Sequence, residues 1–165
     1  MAEEDTSNSS PTRQVVLQRI YLKDASVEVP LAPQVFTRQW NPQLDVQVGT
    51  ATSPLGGGVH QVMLTVTITA KLGEETGFLV EVHQAGIFQI VGFSTESDTQ
   101  AILAGYCPGV IFPFAREAVA DLIQRSGFPP VLLQPINFEA LYVEHLTRAR
   151  DQGAAAGNPV GGTVQ

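Results

Sequence analysis

Few side chains in this sequence could carry chemistry. Glu81 and His83 stand two residues apart in an apolar stretch, so on a strand they share a face. A carboxylate beside an imidazole could serve as an acid–base pair or as part of a metal site. A zinc site needs three or four ligands, and the remaining histidines, His60 and His145, sit on other segments. No HExxH, GxSxG, CxxC or Walker pattern occurs. Gly56-Gly57-Gly58 precedes neither Gly-Lys-Ser/Thr nor a helix start, so it is a flexible turn and not a phosphate loop. Cys107, the single cysteine, lies in an apolar, proline-flanked stretch that suits a buried, inert thiol. The expectation is a protein with no catalytic residue, no metal and no cofactor.

Two other groupings bear on binding. Asp24 and Glu28 alternate with apolar residues in a strand expected over Val15–Val29. Strict alternation puts Ile20, Leu22, Asp24, Ser26 and Glu28 on one face, and Tyr21, Lys23, Ala25, Val27 and Val29 on the other. An acidic row of this kind is also what an ordinary solvated sheet face carries. The segment Pro30–Pro42 holds three prolines, which forbid a central strand or helix interior, yet it contains Leu31, Val35, Phe36 and the only Trp, Trp40. A loop this apolar must pack down or wall a groove.

The elements that would position these residues are legible from periodicity. Val59–Val91 reads as a long hairpin whose outward arm alternates Val62, Leu64, Val66 and Ile68 with polar residues. Its return arm is apolar on both faces around Glu81, which suggests that the second face meets a partner. Another strand is expected over Leu44–Thr52. A helix beginning near Ala101, behind a capping-box spacing at Thr95–Asp98, should be disturbed by Cys107-Pro108-Gly109 and resume through Val110–Arg125, ending at Gly127. Asn137 should cap a last helix with Phe138, Leu141, Tyr142, His145 and Leu146 on one stripe. The expected class is α+β: a four-stranded antiparallel sheet with C-terminal helices packed on one face. Residues 1–13 and 151–165 read as disordered tails around a single domain at 14–150.

Composition narrows the partners. With 165 residues, 44% hydrophobic and only 15% charged, the chain can build one core and is expected to leave apolar surface for other polypeptides. A net charge of −7 and only 9 basic residues argue against nucleic acid. No apolar run reaches a membrane span, the N-terminus lacks signal-peptide features, and one cysteine precludes an intrachain disulfide. A cytoplasmic protein with no direct membrane insertion is expected.

Several segments, in order and spacing, resemble the SecB family of bacterial export chaperones. They are Arg19-Ile20-Tyr21-Leu22-Lys23-Asp24, Leu72-Gly73-Glu74-Glu75-Thr76-Gly77-Phe78-Leu79, Gln84-Ala85-Gly86-Ile87-Phe88, the stretch Gly105–Glu117, and Pro135–Tyr142. The resemblance spans about Gln14–Leu146. It implies an ATP-independent holdase that keeps newly made precursor proteins unfolded and delivers them to the SecA translocase motor. It also implies a homotetramer, a dimer of dimers with helices between two sheets. By position, Asp24, Glu28, Leu79 and Glu81 take the SecA-binding role, and Val80, Val82 and Gln84 the tetramer-interface role. Phe36, Trp40, Phe138, Leu141 and Tyr142 are expected to line a client groove. A SecB-like chaperone dedicated to an antitoxin or another narrow client set is the alternative. The C-terminal segment is shorter and less acidic than the family's, so the resemblance carries no SecA contact over to it.

Overall fold

The computed structural model describes residues 12–156. Strands β1 (Gln14–Glu28), β2 (Gln43–Gly56), β3 (Val59–Leu72) and β4 (Glu75–Val91) form one antiparallel sheet in the order β1-β4-β3-β2. Helix α1 (Glu96–Ala101), a π turn over Ile102–Tyr106, α2 (Cys107–Arg125) and α3 (Phe138–Ala156) follow. The α+β class and the one-sided helical layer are as expected from the sequence. Of the expected tails, residues 1–11 and 157–165 lie outside the described residues. Asp151–Ala156, expected beyond the domain, instead continues α3.

The β3–β4 hairpin turns at Gly73, whose φ of 63° a side chain would disfavour. Its register pairs Leu64 with Gln84, Val66 with Val82, Ile68 with Val80 and Ala70 with Phe78. Partners in an antiparallel pair point to the same side. These residues form the inner face, and α2 lies over it through Ile111, Ala115, Val119 and Ile123, spaced by four and without accessible surface. Each fully buried aliphatic side chain contributes roughly 1.5–3 kcal/mol before entropy is subtracted.

Strand β1 corrects the strict alternation. Its register on β4 shifts between Leu17 and Arg19 and again between Leu22 and Asp24, leaving Gln18 and Lys23 as extra residues. Such a bulge exchanges the faces of everything on one side of it. Ile20 and Leu22 therefore join Ala25 and Val27 on the inner face, while Tyr21 joins Asp24, Ser26 and Glu28 outside. The Tyr21 hydroxyl donates to Gln61 on that outer face.

The outer face of β4 carries the apolar residues expected around Glu81, with Leu79, Ala85 and Ile87 on it beside His83. Leu79, Glu81 and His83 sit among Thr65, Thr67 and Thr69 of β3.

The helical layer is disturbed where expected, by a π turn, and runs on without a gap. The Thr95 hydroxyl accepts from Asp98 N–H at 3.1 Å, capping α1. Proline at 108 cannot donate to a carbonyl four residues back, and its ring would crowd that carbonyl. The π turn just before it widens the helix, with Cys107 N–H reaching Ile102 O, so the chain passes through Pro108 into α2. Helix α2 ends at Gly127 (φ 90°), where Gly127 N–H donates to Gln124 O and Phe128 N–H to Ile123 O. Asn137 caps α3 through its side-chain oxygen, which accepts from Ala140 N–H at 2.9 Å.

Helix α2 spans β4 and β3 but not β2. Every residue of β2 is consequently exposed, including its inner-face Leu44, Val46 and Val48 at 41%, 43% and 36%. Helix α3 docks on the π turn instead of the sheet. At that contact a Cβ on Gly105 would come within 2.9 Å of Glu139 Cγ and 3.2 Å of its Cα.

Candidate functional site: an acidic sheet face and two apolar clefts

On the outer face, three cross-strand rows run from β1 through β4 to β3: Asp24–His83–Thr65, Ser26–Glu81–Thr67 and Glu28–Leu79–Thr69. Asp45 and Gln47 of β2 extend the last two rows. The structure thus brings Asp24, Glu28, Leu79 and Glu81 onto one patch and adds Asp45. That carboxylate lies far away in sequence, and only strand order reveals it as a neighbour. Thr67 donates its hydroxyl to one Glu81 oxygen at 3.0 Å, and His83 Nε2 binds the other at 2.8 Å. The His83 bond, followed by the Thr67 bond, holds the Glu81 carboxyl below its ordinary value against a small opposing effect of burial. The patch is negative at neutral pH, half-open to solvent, and carries Leu79 in its end row, between Glu28 and Thr69. Among the described residues, no three His, Cys, Asp or Glu side chains converge as metal ligands. Cys107 is buried among apolar side chains, and burial pushes its thiol up to about 12.

Val80, Val82 and Gln84 lie on the opposite side of β4. At 0%, 0% and 5% exposure beneath α2 they offer a second subunit no surface. Any part they play in assembly runs through the helix that they carry.

The residues expected to line one groove occupy two separate clefts. The larger, about 430 Å3, has Val48 and Thr50 of β2 on one wall and Phe138, Leu141, Tyr142 and His145 of α3 on the other, with Ala104 of the π turn at its base. It exists because α3 stands off the sheet beside the uncovered inner face of β2. Phe138 is anchored against Phe112, with ring centroids 5.8 Å apart, whereas Leu141 is 51% exposed. The smaller cleft, about 200 Å3, gathers Val35, Phe36, Arg38 and Trp40 against Gly127, Phe128 and Pro129. Phe128 is its hub, with centroids 4.4 Å from Trp40, 5.1 Å from Phe36 and 5.1 Å from Phe78. Two glycines make this packing possible: a Cβ on Gly77 would sit 2.8 Å from Trp40, and one on Gly127 would sit 3.0 Å from Phe36. The two clefts share no lining residue.

Sequence reasoning passed over Phe128, although an apolar residue just after a glycine C-cap is a known packing position. It also passed over Val48, because alternation marks a strand's apolar face without showing whether anything covers it.

The family model for the preprotein translocase subunit SecB matches residues 8–149, nearly the whole chain. The chain belongs to the SecB family. Its relatives include the protein-export protein SecB of Chromobacterium violaceum, 54% identical over 142 residues (86% of this chain, 91% of the relative). That of Methylococcus capsulatus is 47% identical over 156 residues, covering 94% and 98% of the two chains. Among solved structures, the SecB-like chaperone of Mycobacterium tuberculosis in complex with a ChAD peptide from the HigA1 antitoxin superposes with a TM-score of 0.61. At 20% identity, covering 74% of this chain and 90% of that one, it shows a shared fold. All five segments of the sequence resemblance fall inside the family match, as do both clefts and the acidic face. No helix among the described residues is long and apolar enough to cross a membrane.

Proposed function

We propose that this SecB-family chain is an ATP-independent export chaperone of the cytoplasm, which holds precursor proteins unfolded and passes them to SecA. The observation that carries the proposal is the division of one sheet between two kinds of surface. The inner face of β2 and the α3 cleft leave apolar side chains uncovered. The outer face presents Asp24, Glu28, Asp45 and Glu81 around Leu79.

A holdase must accept many sequences, which favours shallow apolar clefts over a pocket with fixed polar partners. Each cleft contact orders a flexible client and is weak alone. Repeating the clefts on a homotetramer, a dimer of dimers, raises the effective concentration of the next contact and turns weak sites into firm retention. Val80, Val82 and Gln84 act in this assembly by setting the height of α2, whose outer side leaves Phe114 exposed. The acidic face attracts and orients a cationic segment of SecA.

Relatives that carry the export-protein name at 46–54% identity favour general export over a dedicated antitoxin chaperone. The test pairs two assays, suppression of client aggregation and calorimetric binding to SecA, on Glu81→Lys and Leu141→Ala. Each variant should lose one activity and keep the other. Parallel loss of both activities in both variants would remove the division of labour.

A further inference from the structure

Among the described residues that line the smaller cleft, Arg38 alone carries a charge. Its Nη1 donates to Glu75 Oε2 at 2.6 Å, and Glu75 stands outside the lining. Local structure fixes both partners. Arg38 closes the short helical turn Gln34–Thr37, its backbone N–H donating to Val35 O at 3.3 Å. Trp40, two residues on, packs over Gly77, where a Cβ would sit 2.8 Å from the indole. Glu75 and Gly77 both belong to the start of β4. The loop thus meets that strand at two points, one ionic and one apolar. The guanidinium is held in the same cleft wall as the Phe36, Trp40 and Phe128 rings.

The two side chains are 45% and 50% exposed, so their pairing contributes little to stability. Its consequence falls on what can enter the cleft. Without Glu75, the cleft would carry a bare cation, and without Arg38 a bare carboxylate would stand beside it. Either charge would favour client segments whose flanks bear the opposite sign and disfavour those of the same sign. Seen from a flank several ångströms away, opposite charges 2.6 Å apart largely cancel. Lys71 and Glu74 near the β3–β4 turn, and Arg125 engaged by Asp121, form a background that substitution at 38 or 75 leaves in place.

The structure assigns to Arg38 and Glu75 a specificity-setting role: as a neutralised pair they let the aromatic cleft take apolar client segments whatever the charge beside them. This rests on the cleft being a client site and deepens that reading by naming its selectivity.

Trp40 is the only tryptophan, so its emission reports on this cleft. The experiment titrates the full chain with two Trp-free peptides, blocked at both ends, that share a Phe-Leu-Phe centre and carry either Glu or Lys on both flanks. It compares the wild type with Arg38→Met, Glu75→Gln and the double variant, with calorimetry and circular dichroism alongside. The quantity read is the ratio of the two Kd values relative to wild type, in which the fixed background cancels. Glu75→Gln should shift that ratio about threefold toward the Glu-flanked peptide, and Arg38→Met about threefold toward the Lys-flanked one. The double variant should return to the wild-type ratio. Methionine keeps the apolar stem, and lost packing would in any case weaken both peptides alike. Unchanged ratios, or shifts in one direction for both single variants, would overturn the role of the pair even where the peptides bind. A wild type that binds neither peptide, by emission and by calorimetry, would overturn the cleft as a client site, and this inference with it.

Discussion

At the scale of single residues, charge and burial make opposite demands on neighbouring positions of β4. Glu81 is kept ionised by hydrogen bonds from His83 and Thr67, and its folded-state value lies below that of an unfolded glutamate. The stabilisation this contributes is present above the ordinary glutamate value and is lost as pH falls through the lower, folded one. Charge reversal at this point replaces an attraction by a repulsion within a row of carboxylates. Glu81→Lys should weaken SecA binding by about tenfold in calorimetry, the effect shrinking at high salt. Val80 and Val82, one residue either side, should tolerate no charge, since they have no accessible surface. Cys107 supplies a control on core integrity. A thiol with its value near 12 is protonated at pH 8, so a disulfide reagent should leave it untouched in the native protein and react once denaturant is added. Prompt labelling of the folded chain would contradict the burial described for the α2 layer.

At the scale of elements, the π turn and α3 act as a unit. Gly105→Ala would place a Cβ against the Glu139 backbone, and α3 would have to move away from the turn. The expected cost is about 1–3 kcal/mol in denaturant unfolding, with weaker client capture because the cleft wall shifts. Trp40→Ala and Leu141→Ala should separate structure from binding. Trp40 packs on Phe78 and Phe128, so its loss should cost about 3 kcal/mol of stability. Leu141 is half exposed, and its removal should cost far less stability but reduce suppression of client aggregation. Unfolding curves beside light-scattering assays check both expectations.

These elements also show what sequence makes legible. Val62, Leu64, Val66 and Ile68 announce their buried face by alternation, Asn137 and Gly127 announce helix ends by residue type, and both readings hold. The extra residue at Lys23 leaves no local signal, because a bulge is fixed by pairing with β4. Pro108 marks a helix disturbance, but not whether the chain stops or widens. Phe36 and Phe138 both read as lining one client groove. Their separation into two clefts depends on where α2 ends and where α3 docks, which is tertiary information. The acidic patch was partly visible as Asp24 and Glu28, whereas Asp45 joins only through strand order.

At the scale of the molecule, large apolar side chains such as Leu22, Leu132, Leu141 and Val143 remain in solvent on a chain of modest charge. Natural monomers rarely leave large contiguous apolar patches bare, so such surface is matched to association with other polypeptides. Assembly would cover the outer side of α2 while leaving the clefts beside β2 and around Phe128 reachable. The acidic sheet faces would then point outward. Static light scattering of the purified protein, alone and mixed with a reduced, unfolded polypeptide, is the most direct measurement of this arrangement. The expected result is a mass of four chains that rises by one bound polypeptide and persists on dilution to low concentration. A single-chain mass that does not change when the unfolded polypeptide is added would contradict the account.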